Sequence, residues 1–270
     1  MPCISFPETY GQIINGKYYD HKHRLYTKEE LDVFCKSVYD YMAEQGEDVI
    51  VVKKTVNTSQ GKGVKKQKIT SSTDLSILLK SMGSENCIIQ KAIKQDPFFE
   101  QFNSSSVNIV RITTWRRGKE IVIFSPGIRF GLAGYNTDVA YVDGKEIINC
   151  IGIRSDGSIM DHSVTLAGEN TPVHFANSVV PKWDEMIETA KNGHLYLEYF
   201  DLVAWDMTVD ADGHVICIEY NLYSPGSIVY QMAHGPLAGE YTDEFLSFLR
   251  KPSNQKKYLP RMIRKKHTEQ

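Results

Sequence analysis

Leu202-Val203-Ala204-Trp205-Asp206-Met207-Thr208-Val209 and Val215-Ile216-Cys217-Ile218-Glu219-Tyr220-Asn221 are two apolar runs joined by Asp210-Ala211-Asp212-Gly213-His214. Asp-Gly between alternating apolar runs is a strong hairpin signal. A two-residue loop at Asp212-Gly213 sets Ala211 opposite His214, Thr208 opposite Cys217 and Asp206 opposite Glu219. Side chains alternate along a strand, so Asn221 shares the face of Glu219. Opposed carboxylates repel, and a hard divalent cation with oxygen ligands relieves the repulsion. Mg²⁺ held by one or two carboxylates usually also holds nucleotide phosphates. The competing reading of the hairpin alone is a half-exposed ribbon with an acidic outer face, because surface carboxylates are common.

A second feature lies upstream. Asp48-Val49-Ile50-Val51-Val52-Lys53-Lys54 reads as a β-branched strand ending in two lysines. It runs into the polar loop Thr55-Val56-Asn57-Thr58-Ser59-Gln60-Gly61-Lys62-Gly63-Val64, and Val64–Ile69 reads as the return strand. Glycines let backbone N–H groups approach phosphate oxygens, and a strand-end lysine adds a point charge. The loop lacks the Gly-x4-Gly-Lys-Ser/Thr pattern and no helix follows it, which excludes a P-loop. Gly-x-Gly alone also fits an ordinary hairpin loop. The strand, lysine and glycine loop followed by a carboxylate hairpin form the more specific combination.

Further segments carry a resemblance. Ile88-Ile89-Gln90-Lys91-Ala92-Ile93-Lys94-Gln95-Asp96-Pro97 reads as a strand and hinge, and Asn103-Ser104-Ser105-Ser106-Val107-Asn108-Ile109-Val110-Arg111-Ile112-Thr113-Thr114 as the strand after it. With Arg129-Phe130-Gly131, Pro181-Lys182-Trp183, Ala204-Trp205-Asp206 and Ile218-Glu219-Tyr220-Asn221, they resemble the ATP-grasp superfamily and, within it, the sugar-transfer-associated branch. The resemblance runs from Val49 to Gly226. It implies a two-lobed α+β fold: a small α+β lobe, a larger lobe of mostly antiparallel sheet, and the nucleotide cleft between them. It also implies ATP and Mg²⁺. Lys53 would contact the α- and β-phosphates, and Ser59, Gly61, Lys62 and Gly63 would close over the triphosphate. Gln90, Lys91, Ala92 and Ile93 would serve the adenine. Asp206 and Glu219 would bind Mg²⁺, with Asn221 on a second Mg²⁺. Arg111 would face the γ-phosphate or an acyl phosphate, with Arg129 a second candidate. Lys54 stands where the family carries proline, so Lys53 and Lys54 can exchange roles. Lys91 stands where the hinge often carries glutamate, which leaves Asp96 as a substitute ribose contact.

At 270 residues the chain can bury a large core. A charged fraction of 24% and a net charge of −2 give no broad electrostatic case for nucleic acid. Five widely spaced cysteines without Cys-x-x-Cys indicate neither a zinc site nor a disulfide framework, and suit a reducing, cytoplasmic setting. No apolar stretch is long enough for a transmembrane segment, and the N-terminus lacks the pattern of a secretion signal.

Thr27-Lys28-Glu29-Glu30 reads as a capping box ahead of a helix with Leu31, Phe34, Val38, Tyr41 and Met42 on one face and Gly46 as its stop. The expected organisation is an N-terminal helical segment over 1–47, the small lobe over 48–95, the large lobe over 96–250 and a basic tail over 251–270. Glu120–Pro126 reads as a strand. Pro181 opens a helix that Gly193 stops, and Tyr241–Arg250 reads as a terminal helix. The histidines show no metal-ligand spacing and read as structural. The expected activity is an ATP- and Mg²⁺-dependent carboxylate–amine or carboxylate–thiol ligase working through an acyl phosphate, in polysaccharide or sugar-conjugate biosynthesis, on a small-molecule or glycan-linked substrate. The rivals are a kinase acting on a hydroxyl and a non-catalytic nucleotide-binding protein of a glycan-assembly pathway. The residues ahead of Val49 are too few for an additional substrate-binding domain, so acceptor recognition is expected from the second lobe, the N-terminal segment or a partner.

Overall fold

The computed structural model describes residues 1–56, 63–83, 85–223, 226–251 and Asn254. The small lobe is built from β1 (Thr9–Ile14), β2 (Lys17–Asp20), β3 (Leu25–Tyr26), α1 (Leu31–Glu44), β4 (Val49–Lys54), β5 (Val64–Lys68), α2 (Ser72–Met82) and β6 (Cys87–Lys91). Its six strands form one sheet in the order β3-β2-β1-β6-β4-β5. The residues ahead of Val49, expected as a helical segment, supply half of that sheet. Asn15-Gly16 joins β1 to β2 with φ of 50° and 74°. Positive φ at both central residues marks the turn whose twist suits a tight hairpin. Phe34, Val38 and Met42 of α1 and Leu75, Leu78 and Leu79 of α2 bury one face of the sheet against Ile50, Val52 and Ile89. The other face carries Val51, Lys53, Ile88 and Gln90, by alternation along β4 and β6.

The large lobe comprises α3 (Pro97–Glu100), β7 (Ile109–Arg117), β8 (Glu120–Phe130), β9 (Ala140–Val142), β10 (Lys145–Ile147), β11 (Asn149–Ile153), β12 (Ile159–Thr165), β13 (Asn170–Pro172), α4 (Trp183–Leu195), β14 (Leu202–Val209), β15 (Val215–Asn221), α5 (Ile228–His234) and α6 (Thr242–Arg250). Seven of its strands make an antiparallel sheet, β13-β12-β11-β8-β7-β14-β15. β8 runs past Pro126, where the sequence pattern ended it. Pro126 lacks an N–H for the ladder, and a bulge between the Arg111–Gly127 and Thr113–Phe124 pairs absorbs it. Helix α4 runs through Gly193 instead of stopping there. A Cβ at Gly193 would lie 2.6 Å from Ile4 and 2.7 Å from Trp205, so the glycine serves close packing.

The two lobes meet through the chain itself. After β6, the Asp96 N–H donates to the Val209 carbonyl at 3.0 Å, and the Ala211 N–H donates to the Lys94 carbonyl at 2.8 Å. The N-terminal arm makes a second link. Ile4 is buried in the large-lobe core, the Ser5 carbonyl accepts from the Cys217 N–H at 2.8 Å, and the Glu8 carbonyl accepts from the Lys91 N–H at 2.9 Å.

Candidate active site

The hairpin that opened the sequence reading has its carboxylates opposed, by a different route from the expected one. Asp210 pairs with His214 through a 3.0 Å backbone bond, and Gly213 takes φ of 83°. The loop is therefore the three residues Ala211-Asp212-Gly213, and the ladder starts one residue out of the expected register, with Thr208 opposite Ile216 and Met207 opposite Cys217. A bulge at Ile218 then restores the pairing of Asp206 with Glu219 and Ala204 with Asn221. Asp210, Asp212 and His214 also cluster at the loop. The Asp210 carboxylate is occupied there by the Asp212 and His214 N–H groups, at 3.0 and 2.8 Å, and so serves the turn.

Asp206 pairs across β7 with Arg111, and Arg111 pairs across β8 with Gly127, which faces Gly152 on β11. Glu219, Asp206 and Arg111 thus form one row across three adjacent strands. Arg111 Nε donates to Asp206 Oδ1 at 2.5 Å, and its Nη2 donates to Oδ2. Both residues are buried, at 7% and 2% exposure. Burial alone would pull the Arg111 pKa down, but the Asp206 carboxylate outweighs it and holds the guanidinium charged. Glu219 keeps solvent access. Its pKa is raised, first by the protein packed around it and then by the charge of Asp206 and a hydrogen bond to it, against the opposing pull of Arg111 and Lys53.

Lys53 approaches from the small lobe. Burial lowers its pKa, while the charges of Glu219 and Asp206 act in the other direction. Lys54, its neighbour, alternates to the side of Ile50 and Val52, and its stem lies 3.0 Å from where a Gly63 Cβ would stand. Of the two lysines that the sequence left interchangeable, Lys53 is the one that feels the charges of the carboxylate row. Ser59, Gly61 and Lys62 lie outside the described residues.

The hinge residues are partly committed within the protein. The Lys91 ammonium bonds Glu47 at 2.8 Å, and that bond raises its pKa. Gln90 is buried, with its amide 3.4 Å from the Pro7 carbonyl. Ala92 is buried beside the half-exposed Ile93. Asp96, expected as a ribose contact, caps α3 by accepting the Phe98 N–H at 2.8 Å.

Arg129 pairs across the sheet with Ile109 and Cys150, on the Arg111 face by alternation. Its Nη2 bonds Asp138. Gly131 makes this possible: the Thr137 carbonyl lies 2.1 Å from where its Cβ would stand, so only glycine lets the loop fold back and bring Asp138 under Arg129. Helix α5 closes this end. Tyr230 and His234, one turn apart, drop onto the paired glycines Gly127 and Gly152, where Cβ atoms would lie 3.0 and 2.8 Å from them. His234 Nε2 lies 2.6 Å from the Pro126 carbonyl. The sequence reading missed Asp138 and Tyr230.

The donor set fits a hard divalent cation. Two opposed carboxylates lie beside Asn221, whose amide oxygen is the atom that could join them as a ligand.

No curated protein matches the chain. Among solved structures it is similar to VanG D-Ala:D-Ser ligase from Enterococcus faecalis, at 11% identity over 90% of this chain and 57% of that one, with a TM-score of 0.51. It is also similar to D-alanyl-alanine synthetase A from Vibrio cholerae, at 15% identity over 90% and 59% with a TM-score of 0.49, and to biotin carboxylase from Campylobacter jejuni, at 13% identity over 93% and 44% with a TM-score of 0.49. The chain therefore spans 44–59% of the length of these structures, and at such identities the likeness is one of fold. No helix among the described residues is long and apolar enough to cross a membrane. The model of the sugar-transfer-associated ATP-grasp family matches residues 2–243, and the chain belongs to that family.

Proposed function

We propose that the protein is an ATP- and Mg²⁺-dependent ligase that activates a substrate carboxylate as an acyl phosphate and transfers it to an amine or thiol. The observation that carries this reading is the row Glu219–Asp206–Arg111 set in register across three strands, with Lys53 facing it from the other lobe. A site of this kind works by positioning and charge neutralisation and needs no protein nucleophile. Asp206, Glu219 and Asn221 would hold Mg²⁺, which when bound neutralises phosphate charge. Lys53 offsets charge on the α- and β-phosphates, and Arg111 offsets charge on the transferred group. Val51 and Ile88, beside Lys53, offer an apolar surface to the adenine. The two links between the lobes keep the cleft in register while it closes, and closure excludes the water that would hydrolyse an acyl phosphate. Family membership suggests a sugar-conjugate or polysaccharide pathway as the setting.

The test is a panel of carboxylates, amines and sugars, read for ADP release and product mass together. An amide or thioester with stoichiometric ADP supports the ligase. A phosphorylated sugar would replace it with a kinase. Glu219→Gln should release ADP at least about a hundredfold more slowly, in line with loss of a transition-state charge partner; turnover at the parent rate would remove Glu219 from the site.

A further inference from the structure

The end of the carboxylate row away from Glu219 holds two buried donors that have no acceptor among the described residues. Tyr230 is 2% exposed, and its hydroxyl finds no partner among the described residues. The Nε of Arg129 is buried and equally unpartnered. They come from different elements, β8 and α5: Tyr230 packs over Gly127, the cross-strand partner of Arg111, Arg129 stands two residues along β8 on the same face, and Tyr230 interacts electrostatically with both arginines. Burial holds the Tyr230 phenol protonated even against the pull of the Arg111 and Arg129 charges, so it is a donor at neutral pH.

The two arginines differ in how their forks are used. Arg111 fills both Nε and Nη2 with one carboxylate, Asp206. Arg129 gives Nη2 to Asp138 and leaves Nε, on the same edge of the guanidinium, unused. A side-on guanidinium edge fits a carboxylate with two parallel bonds. Asp138 therefore occupies half of a carboxylate seat, and it lies at the rim, since its side chain and that of Arg129 keep 17% and 11% of their surface exposed. An orphaned buried hydroxyl is costly, and costs of this kind concentrate where a ligand later removes them.

We propose that Arg129 and Tyr230 form a seat for the carboxylate of the second substrate, with Nε and the phenol as its donors and Asp138 as the group that holds the seat until substrate arrives. The seat lies across Arg111 from the metal ligands, so a carboxylate held there meets the transferred phosphoryl group on the Arg111 side. This rests on the ligase reading above and names which residues take the activated substrate.

The test uses Tyr230→Phe, which removes one oxygen and keeps the packing, and Arg129→Lys, which keeps the charge and loses the fork. Thermal unfolding is followed with saturating Mg·ADP in sodium acetate, sodium phosphate or sodium chloride at equal ionic strength, and Mg·ADP affinity is measured by calorimetry on the same proteins. The expected result is threefold. Free Tyr230→Phe melts no lower than the parent and up to about 2–4 °C higher. Acetate raises the parent Tm beyond chloride and does so in neither variant. Mg·ADP binds parent and Tyr230→Phe alike. A lower Tm for Tyr230→Phe would mean the hydroxyl is already bonded, as through an internal water, and would overturn the seat. Equal acetate stabilisation of parent and variants overturns it too, as does a shift seen with phosphate and not with acetate, which would make the occupant the transferred phosphoryl group. A parent protein that binds no Mg·ADP overturns the ligase reading along with it, whereas normal Mg·ADP binding without an acetate effect removes the seat alone.

Discussion

Asp206 and Arg111 stand opposite one another across β14 and β7, and one guanidinium edge takes both oxygens of the carboxylate. The residue expected to hold metal is thus neutralised by the residue expected to hold phosphate. On the proposed reading, a metal ion at Asp206 would take over the charge that Arg111 balances, and a phosphate oxygen would take over the partner that Arg111 gives up. Metal and nucleotide would then be coupled, because each ligand would supply what the other displaces. Mn²⁺ binding followed by electron paramagnetic resonance should be weak in the free protein and tighten at least about tenfold when ADP is added, a coupling of roughly 1.4 kcal/mol. Equal Mn²⁺ affinity with and without ADP would show the two sites to be independent.

The same pair also fixes a cost. Breaking a buried ion pair by removing one partner costs about 3–5 kcal/mol because a charge is left unpaired. Arg111→Met and Asp206→Asn should each lower the unfolding free energy by about that much, and the double variant by clearly less than their sum. Urea unfolding of the four proteins completes the cycle; strict additivity would mean that the pair contributes nothing beyond its separate residues.

Lys53 and Lys54 offer a direct comparison of two adjacent cations on opposite faces of β4. Lys53→Met should weaken Mg·ADP binding at least about tenfold, roughly 1.4 kcal/mol. Lys54→Met should change it by less than about threefold, since its stem packs under Gly63 on the other side of the sheet. Calorimetry decides, and the reverse order would transfer the phosphate role to Lys54.

How much of this site could be read from the sequence depends on the range over which each contact is set. The opposition of Asp206 and Glu219 was legible because alternation and an Asp-Gly turn act within one hairpin. The turn was misplaced by one residue, and the bulge at Ile218 cancelled the slip; a bulge leaves no mark in an apolar run. Arg111 could be placed on a strand, but its burial against Asp206 depends on β7 and β14 being neighbours, with the chain between them leaving the pair. The strands of the N-terminal segment had a local sign, Asn15-Gly16, whose positive φ values close the β1–β2 hairpin. Tyr230 and Asp138 had none: one is set by a helix falling onto Gly127 and Gly152, the other by a loop folding back over Gly131.

His194 is fully buried at the end of α4, with Nδ1 2.7 Å from Thr114 Oγ1 and Nε2 2.9 Å from the Phe200 carbonyl. Its pKa is lowered, by burial first and Arg116 third, with the Phe200 carbonyl and Asp201 opposing. His234 is lowered as well, by burial, against its bond to the Pro126 carbonyl. A base depressed in the folded state binds its proton more readily once unfolded. Stability is therefore complete above the ordinary histidine value of 6.5 and is lost as pH falls from there toward the folded values. Each histidine contributes a slope of at most about 1.4 kcal/mol per pH unit. Unfolding free energies between pH 7 and 5, measured for the parent and for His194→Gln, should show the shallower slope in the variant; identical slopes would show that His194 does not carry the linkage.

Gly131 tests whether the Arg129–Asp138 pair is made by the loop or merely found there. Any Cβ at this position meets the Thr137 carbonyl at 2.1 Å, which backbone cannot tolerate, so the loop must open. Gly131→Ala should cost about 1–3 kcal/mol as overpacking does, and it should separate Asp138 from Arg129. Gly134→Ala is the control. A Cβ there meets nothing within 4 Å, yet its φ of 85° strains any side chain, so it reports backbone strain without the steric block. If loop closure presets Arg129, Gly131→Ala weakens the acetate-dependent stabilisation of the Mg·ADP complex and Gly134→Ala does not, even where their melting temperatures fall equally. Loss of that stabilisation in both variants would assign it to general loop stability, and retention in both would show that Arg129 holds its place without Asp138.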